Sequence, residues 1–328
     1  MASTLISKRN ELIGMLQKHA DPSIRWKIQV HVLGEDPQSK SIKRLQEEVR
    51  NSPRVAALLS GRDETGRLMS GRNIYDKWQG AHWILATLAD IGYPHGDKKL
   101  ERVRDQILKY WLNDFFFTEF EAATKADAYK KDGVPVMQGR HRRCASQQGN
   151  TLYFLTKLGI ADERSERLVE RLLRWQWPDG GWNCDKDPGA DTSSFMETLF
   201  PMCGLAVYGR LHKHKKAKEA ALKAAEVFLS RRLYKRRSDS QIIHPEFVLL
   251  HYPRYWHYDI LGGLKAMAEV GLIGDPRCAD ALDLLEEKEL PGGGWPAEKR
   301  YYKIASKIAL NADYVDWGGT GKSKMNDG

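Results

Sequence analysis

The chain has 328 residues and has few of the features that mark several common protein classes. Its four cysteines are widely spaced and form no C-x-x-C pair. This spacing favours reduced, buried thiols over a disulfide framework or a zinc finger. No stretch approaches about 18 uncharged apolar residues, so no membrane-spanning helix is predicted. The first residues, MASTLISKRNELIGML, lack the apolar core of a signal peptide. We therefore expect a cytoplasmic protein.

Strand patterns are almost absent. Alternation with period two is brief, and the apolar segment IIHPEFVLLHYP (residues 242–253) is interrupted by proline. The sequence therefore predicts an all-α fold.

The chain carries an excess of positive charge, with 52 basic and 43 acidic residues and a formal net charge of +9. Much of it lies in two clusters, at residues 212–218 and 231–237. Such clusters are usually solvated helix faces, and the alternative is a basic patch for an anionic membrane or a diphosphate. No zinc-finger, helix-turn-helix or RNA-binding pattern is present, so nucleic acid is not an expected partner.

A repeat of two helices runs along the chain. Amphipathic segments end near leucines at intervals of about 57 residues, and such a period is the signature of a repeat fold. The leucines are Leu58, Leu112, Leu172, Leu229 and Leu285. Between them, apolar segments close on glycines in the position of a helix C′ residue. These glycines are Gly34, Gly92, Gly159, Gly209 and Gly271.

The two helix series differ in character. The first is amphipathic, as in DERSERLVERLLRW, and the second is apolar nearly all round, as in GNTLYFLTKLG. An apolar helix has to be enclosed, so outer amphipathic helices around an inner ring of apolar helices satisfy both patterns. The alternative is an open solenoid of helix pairs.

A short motif suggests a family. Gln176, Gly180 and Trp182 stand as Gln-x-x-x-Gly-x-Trp, with Leu172 four residues before the glutamine. This motif resembles the QW repeat of squalene and oxidosqualene cyclases. A weaker copy at residues 285–295, LEEKELPGGGW, has Glu in place of Gln, and three further repeats keep an aromatic–Leu step. The resemblance covers essentially the whole chain.

The resemblance implies the terpenoid cyclase and protein prenyltransferase superfamily, whose (α/α)6 toroid surrounds a cavity for isoprenoids. We accordingly expect one toroid domain over residues 1–328, with helical repeats to about residue 290 and a loop and mobile tail in 291–328. Six outer and five inner helices can be counted, and the chain stops where a sixth inner helix would begin. The expectation is therefore a truncated toroid or one that closes differently.

The resemblance also predicts a function. It implies a cyclase- or prenyltransferase-like enzyme with a nonstandard acid, acting on an isoprenoid or similar apolar molecule, with peripheral membrane contact as an open alternative. The alternative from another class is a noncatalytic toroid that keeps the fold as a binding or interaction module. Fold alone does not decide between them.

The chain departs from both branches of the family. Squalene-type cyclases use a D-x-D-D acid motif, and this sequence has no adjacent Asp pair. Zinc-dependent prenyltransferases hold their metal with Asp, Cys and His. Here Asp191 and His257 occupy similar places, but Ser193 stands in the Cys position, with Cys184 nearby. Zinc is therefore a weak expectation, and helix capping by Asp191 is the alternative.

The candidate site residues come from the loops that lead into the apolar helices. Glu197 lies in the apolar stretch SSFMETLF, so it is either paired by a neighbouring helix or a catalytic acid with a raised pKa. His257 and Asp259 are either an acid/base pair or a helix cap. The expected catalytic residues are Asp191, Glu197, His257 and Asp259. The expected substrate-binding residues are Trp78, His82, Arg143, Cys144, Trp182, Cys184, Ser193 and Trp256. We expect Cys144 and the four catalytic candidates to converge in one pocket.

Overall fold

The computed structural model describes residues 2–19, 21–68 and 73–323, except for the side chains of residues 2–8. Helices dominate this part of the chain. They are α1 (Ala2–Gln17), α2 (Pro22–Lys27), α3 (Lys40–Arg50), α4 (Pro53–Leu58), α5 (Ala81–Asp90), α6 (Glu101–Trp111), α7 (Asp127–Lys130), α8 (Ala145–Lys157), α9 (Ser165–Trp175), α10 (Phe195–Leu211), α11 (Lys215–Leu229), α12 (Ile260–Val270) and α13 (Ala279–Glu287). A π-helical segment, Ile28–Val32, continues α2. None of the described helices is both long enough and apolar enough to cross a bilayer.

The described part of the chain is mostly helical, which is consistent with the all-α prediction, and a few short strands accompany the helices. They are β1 (Glu119–Glu121), β2 (Val134–Met137), β3 (Arg140–His141), β4 (Lys303–Ile304) and β5 (Ala312–Asp313). β2 lies between a parallel β1 and an antiparallel β3, and β4 pairs in parallel with β5. Strands of two to four residues show no period-two pattern, so the sequence could not reveal them. The proline-interrupted segment, which the sequence analysis did not assign to a central strand, contains a short 3-10 helix, Pro245–Val248.

Helices lie at each position where the repeat predicts an outer or an inner helix. Most residues of α5, α8 and α10 are buried, as expected for helices that are apolar nearly all round. In α9 and α11 the buried residues follow one face, and charged residues cover the other. The two helix characters read from the sequence are therefore present in the structure.

The chain forms two compact units. One comprises residues 1–103, 158–160 and 288–328, and the other residues 104–157 and 161–287. Within the second unit, α10 packs against both α8 and α12. Each of these three apolar helices also packs against the amphipathic helix that follows it, α9, α11 or α13. The second unit thus contains successive pairs of packed helices.

Four of the five predicted C′ glycines adopt a left-handed conformation, with φ between 65° and 86° at Gly34, Gly92, Gly159 and Gly271. The prediction for Gly209 is wrong, because α10 continues past it to Leu211 and Lys213 takes the positive φ instead. Gly209 is instead required for helix packing. A Cβ there would lie 2.8 Å from Cγ of Lys218, so the glycine lets the start of α11 approach α10 closely.

The crossing of α8 and α10 is a contact between backbones. A Cβ added to Gly149 of α8 would lie closer than 3.0 Å to backbone atoms of Phe200 and Pro201. A Cβ on Gly204 of α10 would likewise lie 2.5 Å from the carbonyl oxygen of Gly149. Interiors are packed too densely to absorb such groups without moving a helix. The small residues therefore fix the distance between these two helices.

The residues of the Gln-x-x-x-Gly-x-Trp motif join two amphipathic helices. The Gln176 amide donates to the carbonyl of Gly180 at 2.6 Å and to the carbonyl of Ala220 in α11 at 2.9 Å. The indole N–H of Trp182 donates to the carbonyl of Leu172 in α9 at 3.0 Å. Trp182 is also fully buried. The motif thus holds the end of α9 against α11, and these contacts give Trp182 a structural role.

Candidate functional site

Two thiols and a carboxyl group meet at the start of α10. The Sγ atoms of Cys144 and Cys184 and a carboxylate oxygen of Glu197 all lie within 4.8 Å of one another. The Cys184 thiol donates to Oε1 of Glu197 at 3.5 Å. All three residues are of intermediate burial. We call these three residues the Cys–Cys–Glu cluster.

Glu197 reaches across to a neighbouring helix. It lies in the first turn of α10, whose N-cap residue Ser194 makes no side-chain capping bond. Oε2 of Glu197 accepts a hydrogen bond from the backbone N–H of Ser146 at 3.0 Å. Ser146 is in the first turn of α8, where backbone N–H groups have no partner within their own helix and favour negative charge. Glu197 therefore caps α8, and Cys144 directly precedes that helix.

Arg142 holds the loop that carries Cys184. Its backbone forms an isolated bridge with Asn183, and its Nη1 donates to the carbonyl of Asp185 at 3.2 Å. The guanidinium group is buried and lies 4.5 Å from the centre of the Trp177 ring. Because the bridge joins neighbours of Cys144 and Cys184, it places the two cysteines side by side. The sequence did not reveal these structural contacts of Arg142, because they form between segments that are about 40 residues apart.

The acidic residues of the same loop mainly shape its backbone. Asp185 and Asp187 each accept a backbone N–H two residues further along, a local turn that short acidic side chains favour. Asp191 is exposed and accepts a hydrogen bond from the Thr192 hydroxyl. It does not cap α10, whose N-cap is Ser194.

The buried Ser193 is held by a residue that the sequence analysis missed. Asp179 accepts hydrogen bonds from the Ser193 N–H at 2.8 Å and from its hydroxyl at 2.6 Å. These bonds fix the loop directly before α10. Neither Ser193 nor Asp191 belongs to the Cys–Cys–Glu cluster.

Burial controls the proton affinity of the cluster. It raises the pKa of the Glu197 carboxyl, while hydrogen bonds from Ser146 and the two thiols act in the opposite direction. The hydrogen bond with Cys144, then burial, then the charge of Glu197 raise the pKa of the Cys184 thiol. The cluster therefore favours the protonated forms of Glu197 and Cys184.

The raised pKa predicts a pH-dependent stability. The folded chain keeps the Glu197 proton to higher pH than the unfolded chain does. The stabilisation from this group is therefore full below the ordinary value of 4.5 and lost as the pH rises through the raised pKa. Glu197→Gln removes this titration. We expect the Tm of the wild type minus that of the variant to fall as the pH rises from 4.5, in thermal unfolding monitored by circular dichroism. A difference that is constant or grows with pH would contradict the raised pKa.

The candidate residues directly before α12, Trp256, His257 and Asp259, are not part of the Cys–Cys–Glu cluster. Asp259 accepts the Gly262 N–H at 2.6 Å as the N-cap of α12, so the capping alternative is present. Its Oδ2 lies 2.9 Å from Nδ1 of His251, a buried histidine that the sequence analysis did not single out. His257 stacks on Trp256 with ring centres 4.2 Å apart. The imidazole paired with Asp259 here is thus that of His251.

The remaining binding candidates are distributed over both units. Trp78 and His82 belong to the first compact unit, and both are buried. Burial lowers the pKa of His82 to about 3, so it is neutral at ordinary pH. Arg143 lies in the second unit beside Cys144, with its guanidinium carbon 4.5 Å from the centre of the Phe116 ring. Of the predicted set, the structure brings Cys144, Cys184 and Glu197 together.

The Cys–Cys–Glu cluster is also the group that could hold a metal. Within residues 2–19, 21–68 and 73–323, it is the one set of three or more Cys, His, Asp and Glu side chains close enough to share an ion. Thiolate and carboxylate ligands suit zinc, and three protein ligands are typical of a catalytic zinc site. The expected ligands Asp191 and His257 are not part of this group.

Comparison with known proteins adds no family assignment. No protein-family model matches the chain, and no curated protein matches it in sequence. The case for a function therefore depends on the residues and contacts described above.

Proposed function

We propose that this chain is an α/α-toroid enzyme that uses Glu197 as a Brønsted acid on an apolar, isoprenoid-like substrate. The Cys144 and Cys184 thiols would position the carboxyl group and supply its hydrogen bonds. The observation that carries the proposal is a carboxyl group whose pKa is raised by burial and which is hydrogen-bonded to a thiol and a helix N-terminus. A carboxyl group whose pKa is shifted by burial and by specific hydrogen-bond partners is a candidate for a functional site.

The proposed chemistry needs no metal. The O–H bond of the Glu197 carboxyl breaks, and its proton forms a new C–H bond with electrons from a substrate double bond. The substrate cation then loses a proton to solvent, or adds water and the resulting oxonium ion loses a proton to solvent. Solvent then returns a proton to the Glu197 carboxylate. Burial assists the first step because it disfavours the carboxylate, while the Ser146 N–H and the Cys184 thiol stabilise the carboxylate that forms.

Support for a toroid comes from the helix arrangement. Apolar helices pack on one another and each on its following amphipathic helix, which is the local pattern of two concentric layers. The residues of the QW-like motif join α9 and α11, which would be successive outer helices in such a fold. Support for an apolar substrate comes from the QW resemblance and from the apolar character of α8 and α10, whose first turns carry the site.

A second candidate function is zinc-dependent catalysis at the same cluster. It is favoured by the close approach of two thiols and a carboxylate. Cys144, Cys184 and Glu197 would hold the ion, which would supply a Lewis acid. Metal analysis of the protein purified without chelators separates the two candidates. If Glu197 acts as a metal-free acid, the purified protein should contain far less than one zinc ion per chain. One zinc ion per chain in the wild type, and its loss in Cys184→Ser, would favour zinc-dependent catalysis.

The assay uses three acyclic isoprenoids: squalene, geranylgeraniol and farnesyl diphosphate. Each is incubated with the purified chain in mild detergent, and the extracts are analysed by gas chromatography and mass spectrometry. We expect at least one to give a product that is absent without protein, either an isomer or its hydrate. Binding of all three without conversion would instead support the noncatalytic toroid module.

A further inference from the structure

A short loop in the first compact unit carries both aliphatic and basic side chains on its surface. Ile304, Ile308 and Leu310 are exposed, and Leu310 keeps 78% of its residue surface accessible. Arg300, Lys303 and Lys307 are also exposed. No acidic residue occurs between residues 299 and 312. We call residues 299–310 the basic–aliphatic loop.

The backbone of this loop is held in place. The Gln79 side chain donates to the carbonyls of Ala305 and Lys307, at 3.0 and 3.2 Å, and accepts the Ala309 N–H at 2.9 Å. The backbone N–H of Lys303 donates to the carbonyl of Asn311 at 3.0 Å. Because these polar groups already have partners, a less polar environment costs them little. The exposed aliphatic side chains therefore project from a fixed support.

The acids that flank the loop are already engaged. Glu298 forms an ion pair with Lys288 at 2.9 Å, and Asp313 is buried and accepts the Trp317 indole N–H at 2.9 Å. The exposed charges of the loop are therefore cationic. Nucleic acid would contact the basic side chains and leave the aliphatic side chains in water. An anionic bilayer surface contacts the basic side chains through its head groups and the aliphatic side chains through its acyl chains.

We propose that the basic–aliphatic loop docks this protein onto anionic lipid membranes. The aliphatic side chains enter the boundary between head groups and acyl chains, and the basic side chains lie at the level of the anionic head groups. The net charge of +9 adds long-range attraction to such a surface. This proposal is independent of the chemistry proposed for the Cys–Cys–Glu cluster.

The test is cosedimentation of the full chain with vesicles of phosphatidylcholine alone or with 30% phosphatidylglycerol. We expect binding to the anionic vesicles and release at high salt, because salt screens the negative surface potential of the lipid head groups within a Debye length. Leu310→Ser with Ile308→Ser, and separately Lys303→Gln with Lys307→Gln, are each expected to weaken binding by about tenfold or more. All four positions are exposed, so circular dichroism should show unchanged folding.

A charge-matched control identifies the loop as the cause. Lys215→Gln with Lys216→Gln removes two exposed charges from the basic cluster at 212–218 and should leave vesicle binding nearly unchanged. An equal loss in the control would show that net charge alone drives binding and would overturn the proposal. Absence of vesicle binding, or a dimer that Leu310→Ser converts to a monomer, would also overturn it. The second of these results would assign the loop to another copy of the chain.

Discussion

Glu197→Gln is expected to lower the rate of isoprenoid conversion by about 10³-fold or more, the usual contribution of a positioned general acid. The amide keeps the size of the side chain but has no acidic proton. Its binding of substrate should change little, so the effect should fall on kcat rather than on KM. The measurement is product formation with whichever of the three isoprenoids the wild type converts.

The matched control for this prediction is Glu219→Gln. Glu219 is exposed on α11 and forms a long ion pair with Lys215 at 3.8 Å, so its loss should leave turnover unchanged. Cys184→Ser should have an activity between those of the wild type and Glu197→Gln, because serine keeps a hydrogen-bond donor near Oε1 of Glu197. We expect it to retain far more activity than Glu197→Gln. Turnover that survives in Glu197→Gln would remove this residue from the chemistry.

Gly149→Ala is expected to destabilise the protein by about 3 kcal/mol, at the upper end of the usual cost of overpacking. The added methyl group would lie closer than 3.0 Å to the backbone of Pro201, which cannot move aside as a flexible side chain can. Thermal unfolding should show a Tm lower by roughly 5–10 °C. The variant should also lose turnover, because the same crossing brings Ser146 to Glu197.

Gly14→Ala provides the comparison. It makes the same chemical change inside α1, where an added Cβ meets nothing within 4 Å. Alanine favours the helix over glycine by roughly 0.5–1 kcal/mol, so the Tm should stay the same or rise. If both variants behaved alike, the backbone contact between α8 and α10 could not be what fixes their separation.

The helices could be predicted because their signals are local. The buried surface of α8 and α10 follows directly from their apolar sequences, and the left-handed glycines mark where helices end. Gly209 misled the prediction because a glycine needed for close packing looks the same in sequence as one needed for a turn. The strands were missed because pairing over two to four residues leaves no pattern along the chain.

The site could be predicted only in part, because its geometry depends on distant contacts. Cys144, Cys184 and Glu197 each stood out as candidates, but nothing in the sequence shows that all three meet. Their meeting depends on the Arg142–Asn183 bridge and on the tight crossing at Gly149. His251 was overlooked because a histidine in a proline-rich loop carries no signal until its partner Asp259 is known.

The most direct test of proton transfer from Glu197 is the deuterium content of the product formed in D₂O. An exchangeable carboxyl group delivers one solvent-derived deuterium to a substrate carbon in each turnover. Mass spectrometry should therefore show a product heavier by one mass unit at a non-exchangeable position, with no such product from Glu197→Gln. Product without carbon-bound deuterium would show that the reaction begins in another way and would contradict the acid role of Glu197.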